Sequence, residues 1–294
     1  MPEPIRTETE AGVRSIILAR PEEYNTINPE LRDALARAID DADGDPEVHV
    51  ILLRADDPPA HHPHGPAFCA GYGLDWSTEM QSREAEQDRV WDSAMDMRLM
   101  TTFVDTYLKL WYATKPTIAA VQGWCIGGGT DMVLCADMVI AGEGAKFGYP
   151  PSRVWGTPTT AMWVYRLGFE RAKRYLLTGD EIPAREAADV GLILECVPDD
   201  ELLDRATALA RRMAQVPVNQ LQMLKLLCNQ TAENMGLASS RTLGTLFDGV
   251  ARHTQEGKDF VARAAESGIR QAVRERDDPF GDYGSRRRQG PTRE

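Results

Sequence analysis

No apolar run in this 294-residue chain approaches the ~18 residues that would suggest a membrane span. The opening MPEPIRTETEAG lacks the basic-then-apolar order of a secretory signal. Cysteine is sparse: Cys69, Cys125, Cys135, Cys196 and Cys228 are an odd, scattered set with no CxxC pair. That excludes a disulfide framework and fits a reducing, cytoplasmic setting. Basic residues are in deficit, 33 against 45 acidic ones, for a net charge of −12. General nucleic-acid binding needs a basic footprint, so neither a nucleic acid nor a membrane is expected as a partner. An anionic small ligand stays compatible with this balance, because helix N-termini and a few local cations can bind one. With 43% hydrophobic and 27% charged residues, the composition is that of a globular protein able to bury a large core.

The pattern along the chain begins as a β-hairpin. IRTETE (5–10) alternates, AG turns, and VRSIILA (13–19) alternates before running apolar. Asn28-Pro29 reads as a helix start, N-cap then first helical position, and Leu31, Leu35 and Ile39 carry the helical spacing. VHVILLRA (48–55) reads as a buried strand. DDPPAHHPHGP (56–66) is a loop, and a polar helical stretch follows from about 83 to 112. PTIAAVQG (116–123) is a strand, TDMVLCAD (130–137) a helix opened by Gly127-Gly128-Gly129, and MVIAGE (138–143) a strand. Helices dominate from Thr159. The alternation before Val216-Pro217 implies α/β layers with parallel pairing, and the chain beyond is all-α. Two regions are therefore expected, 1–216 and 217–294, the second ending in a mobile tail with Arg286-Arg287-Arg288 solvated.

The strand–GGG–helix junction is the best candidate for chemistry. Glycines let a ligand approach the backbone, and the helix they open presents unpaired N–H groups and a positive dipole end. Such a junction can bind phosphate or hold a developing oxyanion, or it can be a tight turn against the core. It is neither a P-loop nor a GxGxxG fingerprint. A second glycine-bearing segment, Phe68-Cys69-Ala70-Gly71-Tyr72-Gly73, carries the same potential.

These pieces, in order, resemble the crotonase superfamily (enoyl-CoA hydratase/isomerase family). The resemblance runs through Ile17-Leu18-Ala19-Arg20-Pro21-Glu22-Glu23-Tyr24-Asn25, Ala67-Phe68-Cys69-Ala70-Gly71, and Lys115 to Gly123 with Gly127-Gly128-Gly129 and Cys135-Ala136-Asp137. Phe147-Gly148, Leu177-Thr178-Gly179-Asp180 and Gly191-Leu192-Ile193 complete it, over about residues 5–275. It implies a spiral of ββα units followed by an all-α C-terminal trimerisation region, assembled as a homotrimer or a dimer of trimers. It implies an acyl-CoA thioester as ligand, with no cofactor beyond the coenzyme A that arrives on the substrate. The N–H groups of Ala70 and Gly128 are expected to polarise the thioester oxygen. Phe68 and Gly71 are expected at the substrate, and Glu22 and Tyr24 supply backbone contacts at the adenine end. The family's C-terminal Phe-x-x-Lys becomes Phe260-Val261-Ala262-Arg263, in which Arg263 keeps a charge for a neighbouring subunit's CoA or faces solvent.

Hydration of an enoyl thioester needs a base for water and an acid for the α-carbon. The family's first carboxylate falls on Asp131. The second follows Phe147-Gly148-Tyr149-Pro150 and falls on Pro151, which cannot transfer a proton. Tyr149 and Tyr72 either replace the lost group or line an acyl pocket. The expected activity is therefore that of an enoyl-CoA hydratase/isomerase-like lyase. The alternatives are C–C hydrolysis or decarboxylation of a β-oxo acyl-CoA, or a binding homologue that has lost turnover. His61, His62 and His64 suggest a loop over the CoA entrance rather than a metal site. His49 and His253 read as structural, and Trp91, Trp111, Trp155 and Trp163 as packing.

Overall fold

The computed structural model describes residues 3–58, 65–73 and 92–283. The histidine loop positions His61, His62 and His64, Trp91 and the arginine run 286–288 lie outside the described residues. The hairpin forms as the alternation requires, β1 (Ile5–Glu10) against β2 (Val13–Leu18). Asn28 caps α1 (Pro29–Gly44), its side chain accepting the Leu31 N–H at 2.9 Å.

β3 (Val50–Ala55), β5 (Thr117–Val121), β7 (Met138–Gly142) and β10 (Glu195–Val197) extend the hairpin in parallel, in the order β1-β2-β3-β5-β7-β10. A second sheet runs β4 (Ala67–Cys69), β6 (Trp124–Ile126), β8 (Lys146–Gly148) and β9 (Ile182–Pro183). Consecutive strands thus pass from one sheet to the other, β3 to β4, β5 to β6 and β7 to β8, with helices between the pairs. This is the expected α/β spiral with helices after it. The short β6, β8, β9 and β10 were not expected, because two or three residues are too few to show a period.

Both faces of the first sheet are covered, which explains its continuous apolar runs. Ile16, Ile51, Leu53, Ala119, Val139 and their neighbours enter the main core. Val50, Leu52, Ile118 and Ile140 instead meet α7 (Leu202–Met213) through Leu202, Ala206 and Ala210. Among the described residues no helix is long and apolar enough to cross a membrane.

The long middle helix is α2 (Ser93–Tyr112). The GGG helix, α3, spans Gly128–Val133, earlier and shorter than expected, since Gly128 already has helical geometry and turns follow Val133. α4 (Met162–Leu167), α5 (Phe169–Leu176) and α6 (Ala184–Asp189) close the spiral. Beyond Pro217 come α8 (Val218–Asn234), α9 (Leu237–Arg252), α10 (Gln255–Ser267) and α11 (Ile269–Asp277). Lys225 fastens α8 to the spiral: its Nζ donates to the carbonyls of Leu110 and Lys115 and pairs with Asp137 at 2.9 Å. Phe260 on α10 packs on Trp155, ring centroids 4.9 Å apart, so the C-terminal helices also brace the segment after Pro151.

Candidate active site

The GGG junction and the 68–73 segment come together. Gly127 has φ 55°, a left-handed value that glycine tolerates, and this bend turns β6 into α3. As the first residue of α3, Gly128 has an N–H with no intrahelical acceptor. A Cβ on Gly71 would lie 3.5 Å from the Gly128 nitrogen, and a Cβ on Gly128 would lie 2.8 Å from the Tyr72 ring. The two segments are therefore in direct backbone contact, which only residues without side chains permit.

The segment 20–25 is docked on the same place. Arg20 is buried and holds Glu30 through both guanidinium nitrogens, at 2.7 and 2.8 Å. Asn25 accepts the Arg20 N–H and donates to the carbonyls of Ala67 and Phe68. The N–H of Ala70 donates to the Tyr24 carbonyl at 3.1 Å. This corrects the expected role of Ala70, whose amide is spent inside the protein and is not offered to a ligand. The neighbouring peptide does better. Ile27 N–H donates to the Gly71 carbonyl at 2.8 Å, and Gly73 N–H to the Ile27 carbonyl at 2.9 Å. Since a trans peptide points its C=O and N–H in opposite directions, the Tyr72 N–H points away from Ile27. Phe68 is also corrected: it is fully buried in the main core and contributes packing. Glu22 is exposed and Tyr24 half-buried beside Ala70.

Asp131 lies one turn into α3 and is completely buried. Its Oδ1 accepts the Thr160 hydroxyl at 3.0 Å and the Thr160 N–H at 3.4 Å. Its Oδ2 accepts the Thr159 hydroxyl at 3.0 Å, the Thr159 N–H at 3.2 Å and the Tyr149 hydroxyl at 3.5 Å. Burial pushes this carboxyl up to about 7, against the pull of those donors. Tyr149 gives its stronger bond to the Thr157 carbonyl, at 2.7 Å. Burial raises its hydroxyl well above the ordinary range, and so it does for Tyr72, which meets the Tyr107 hydroxyl at 3.2 Å and the Phe103 ring edge-on. Both tyrosines are therefore protonated at neutral pH and are not bases.

Pro151 sits at the opening of the turn, its Cγ 3.5 Å from where a Cβ on Gly127 would be. Arg263 is exposed on α10, its Nε 3.4 Å from the Asp259 carbonyl. His49 and His253 hold backbone carbonyls, of Ala214 and Gly249. Sequence reasoning missed the Thr159-Thr160 cage and the acidic pair Asp96 and Asp248, which lie in segments without a catalytic motif.

Known proteins resemble this chain over most of its length. The profile of the enoyl-CoA hydratase/isomerase family matches residues 8–265. A 2,3-dehydroadipyl-CoA hydratase from Escherichia coli is 31% identical over 242 residues, covering 79% of this chain and 85% of that protein. The crystal structure of an enoyl-CoA hydratase from Mycobacterium smegmatis superposes with a TM-score of 0.87 at 43% identity, over 95% of each chain. That of an enoyl-CoA hydratase/isomerase from Xanthobacter autotrophicus reaches 0.84 at 28% identity, over 95% of this chain and 99% of that one.

Proposed function

We propose, since this chain belongs to the enoyl-CoA hydratase/isomerase family, that it binds an acyl-CoA thioester and processes it through an enolate. The carrying observation is the contact between the 71–72 peptide and the GGG turn. It supports reading the amides of Tyr72 and Gly128 as the two donors of an oxyanion hole. The charge that develops on a thioester oxygen is held there by donors already in position, and removing one such donor costs ~3–4 kcal/mol of transition-state stabilisation. The α3 dipole adds to this at Gly128.

In this reading Asp131 is the proton carrier at the α-carbon. With its carboxyl raised to about 7 it is part protonated at neutral pH, as a donor to an enolate carbon must be. One threonine hydroxyl has to turn away for the proton to leave. Tyr149 and Tyr72 wall the acyl site, Gly71 supplies close approach, and the backbone at Glu22 and Tyr24 supplies the adenine end. No cofactor takes part beyond the CoA of the substrate. Assembly is a homotrimer, or a dimer of trimers, through residues beyond 217, where Leu226 and Leu227 on α8 and Phe247 on α9 are exposed. Arg263 reaches a neighbouring subunit's CoA in that assembly, and the protein acts in the cytoplasm.

Addition of water to a 2-enoyl-CoA is the first reading. Pro151 favours a second, an enolate reaction needing one proton carrier, such as C–C cleavage of a β-oxo acyl-CoA. A screen over crotonyl-CoA, longer enoyl-CoAs and cyclic β-diketone thioesters separates them. Turnover of enoyl-CoAs supports the first, turnover of the diketones alone supports the second, and binding without turnover refutes both.

A further inference from the structure

We propose that Asp248 is the second proton carrier of this site, in the role that Pro151 leaves empty. This rests on the enoyl-CoA hydration reading above. Gly127, Pro151, Gly156 and Asp248 follow one another in contact. Pro151 touches Gly127, the first glycine of the turn, and a Cβ on Gly156 would fall 2.8 Å from the Pro151 Cβ and 3.4 Å from the Asp248 Oδ1. A carboxylate from α9 thus reaches over a residue without a side chain to the neighbourhood of Pro151. The Thr157 N–H binds it there, and the Thr157 carbonyl binds Tyr149, which in turn touches Asp131. The two carboxylates flank one short stretch of chain, 156–160.

The charge count argues against a purely structural role. Arg252 already holds Asp96 with two contacts at 2.6 and 2.7 Å, and its other nitrogen lies 3.2 Å from Asp248. Two carboxylates thus share one guanidinium, all three largely buried. A buried ion pair needs one carboxylate; a second leaves an excess negative charge away from water, which costs stability. Such excess is found where a group has chemical work. The groups facing Asp248 are Arg252 on its own helix, Asp96 on α2, and Tyr72 and Tyr149 across the site. Burial, with Asp96 adding to it and Arg252 opposing, pushes the Asp248 carboxyl up to about 6. Asp131 stands at about 7, so both carboxyls exchange protons close to neutral pH, as an acid–base pair must.

The step balances. Asp248 takes a proton from water while the water oxygen bonds to the β-carbon. The π pair of the enoyl double bond shifts to the bond between the α-carbon and the thioester carbon, and the carbonyl pair moves onto the oxygen held by Tyr72 and Gly128. The enolate then collapses as its α-carbon takes the proton from Asp131. Hydrogen and hydroxide have been added, and the proton on Asp248 returns to Asp131 through solvent.

The test is Asp248→Asn, which keeps the shape and an acceptor for Thr157. Hydration of crotonyl-CoA should lose ~10²–10⁴-fold in kcat while KM stays within about threefold. Pro151→Glu added to Asp248→Asn should restore at least about tenfold, a rescue that a loop-holding role does not give. Asp96→Asn checks the claim without touching the carboxylate. It removes the charge that raises Asp248, so the acidic limb of the pH–rate profile should move to lower pH. A folded Asp248→Asn protein with unchanged kcat and pH profile overturns the inference. Should that variant not fold, an unshifted acidic limb in Asp96→Asn overturns it instead. An unmodified protein that hydrates no enoyl-CoA refutes the hydration reading, and the inference falls with it.

Discussion

Asp131 and Thr160, both fully buried, are joined twice, hydroxyl to Oδ1 at 3.0 Å and N–H to Oδ1 at 3.4 Å. Thr159 repeats the pairing on Oδ2. The chain thereby cages a carboxyl one turn from the Gly128 amide, and burial outweighs the cage in setting its proton affinity at about 7.

A stability signature follows from that position. The folded state holds the Asp131 proton up to about 7, whereas an unfolded aspartate releases it near ~3.9. Between those values the folded state binds more protons, so the contribution of Asp131 to stability is full below ~3.9 and is lost as pH rises through about 7. Asp131→Asn removes this part of the slope. Urea unfolding from pH 4 to pH 8 should show the unmodified protein losing ground steadily to the variant. The same variant should abolish turnover while thioester binding survives.

Gly128 has no room for a methyl group, since it would lie 2.8 Å from the Tyr72 ring and 3.0 Å from the Ile27 Cδ1. Gly128→Ala should displace Tyr72 and with it the second amide of the proposed oxyanion hole. Overpacking of this kind costs about 1–3 kcal/mol of stability. Loss of a hole donor costs about 10²–10³-fold in kcat. Thermal unfolding and steady-state kinetics on one preparation should show both effects together.

Arg153 is nearly sealed from solvent and binds Asp277 at 2.9 Å and Asp282 at 2.7 and 2.8 Å. It ties the turn after Pro151 to the end of α11. Arg153→Met leaves Asp277 with Arg276 alone and should cost about 3–5 kcal/mol, measured as a lower urea midpoint.

Leu226 and Leu227 are 63% and 67% exposed on α8. Light scattering at micromolar concentration should give three or six times the chain mass. Leu226→Glu with Leu227→Glu should shift it toward monomer. A clean monomer for the unmodified protein refutes the assembly.

Elements with a local cause were legible in the sequence. Asn28-Pro29 announced α1 because cap and first turn are adjacent, and the alternation in 5–18 announced the hairpin. Asp131 was legible as a candidate because its motif is contiguous. Its cage was not, since Thr159 and Thr160 lie in a loop with no period, 28 and 29 residues away. Asp248 was hidden inside an ordinary amphipathic helix whose place beside Gly156 is set by tertiary packing. The choice between the amides of Ala70 and Tyr72 was hidden too. Gly71, at φ 90°, turns the chain between them, and only the partners Tyr24 and Ile27 reveal which amide is left over.

The central claim is that the amides of Tyr72 and Gly128 hold a thioester enolate. It is tested most directly by deuterium exchange at the α-carbon of a saturated acyl-CoA in heavy water, followed by mass spectrometry. This reaction needs the hole and one proton carrier and does not depend on Pro151 or Asp248. The account predicts saturable exchange well above the buffer rate, abolished by Asp131→Asn and sharply reduced by Gly128→Ala. Bound thioester with exchange no faster than in buffer would contradict it.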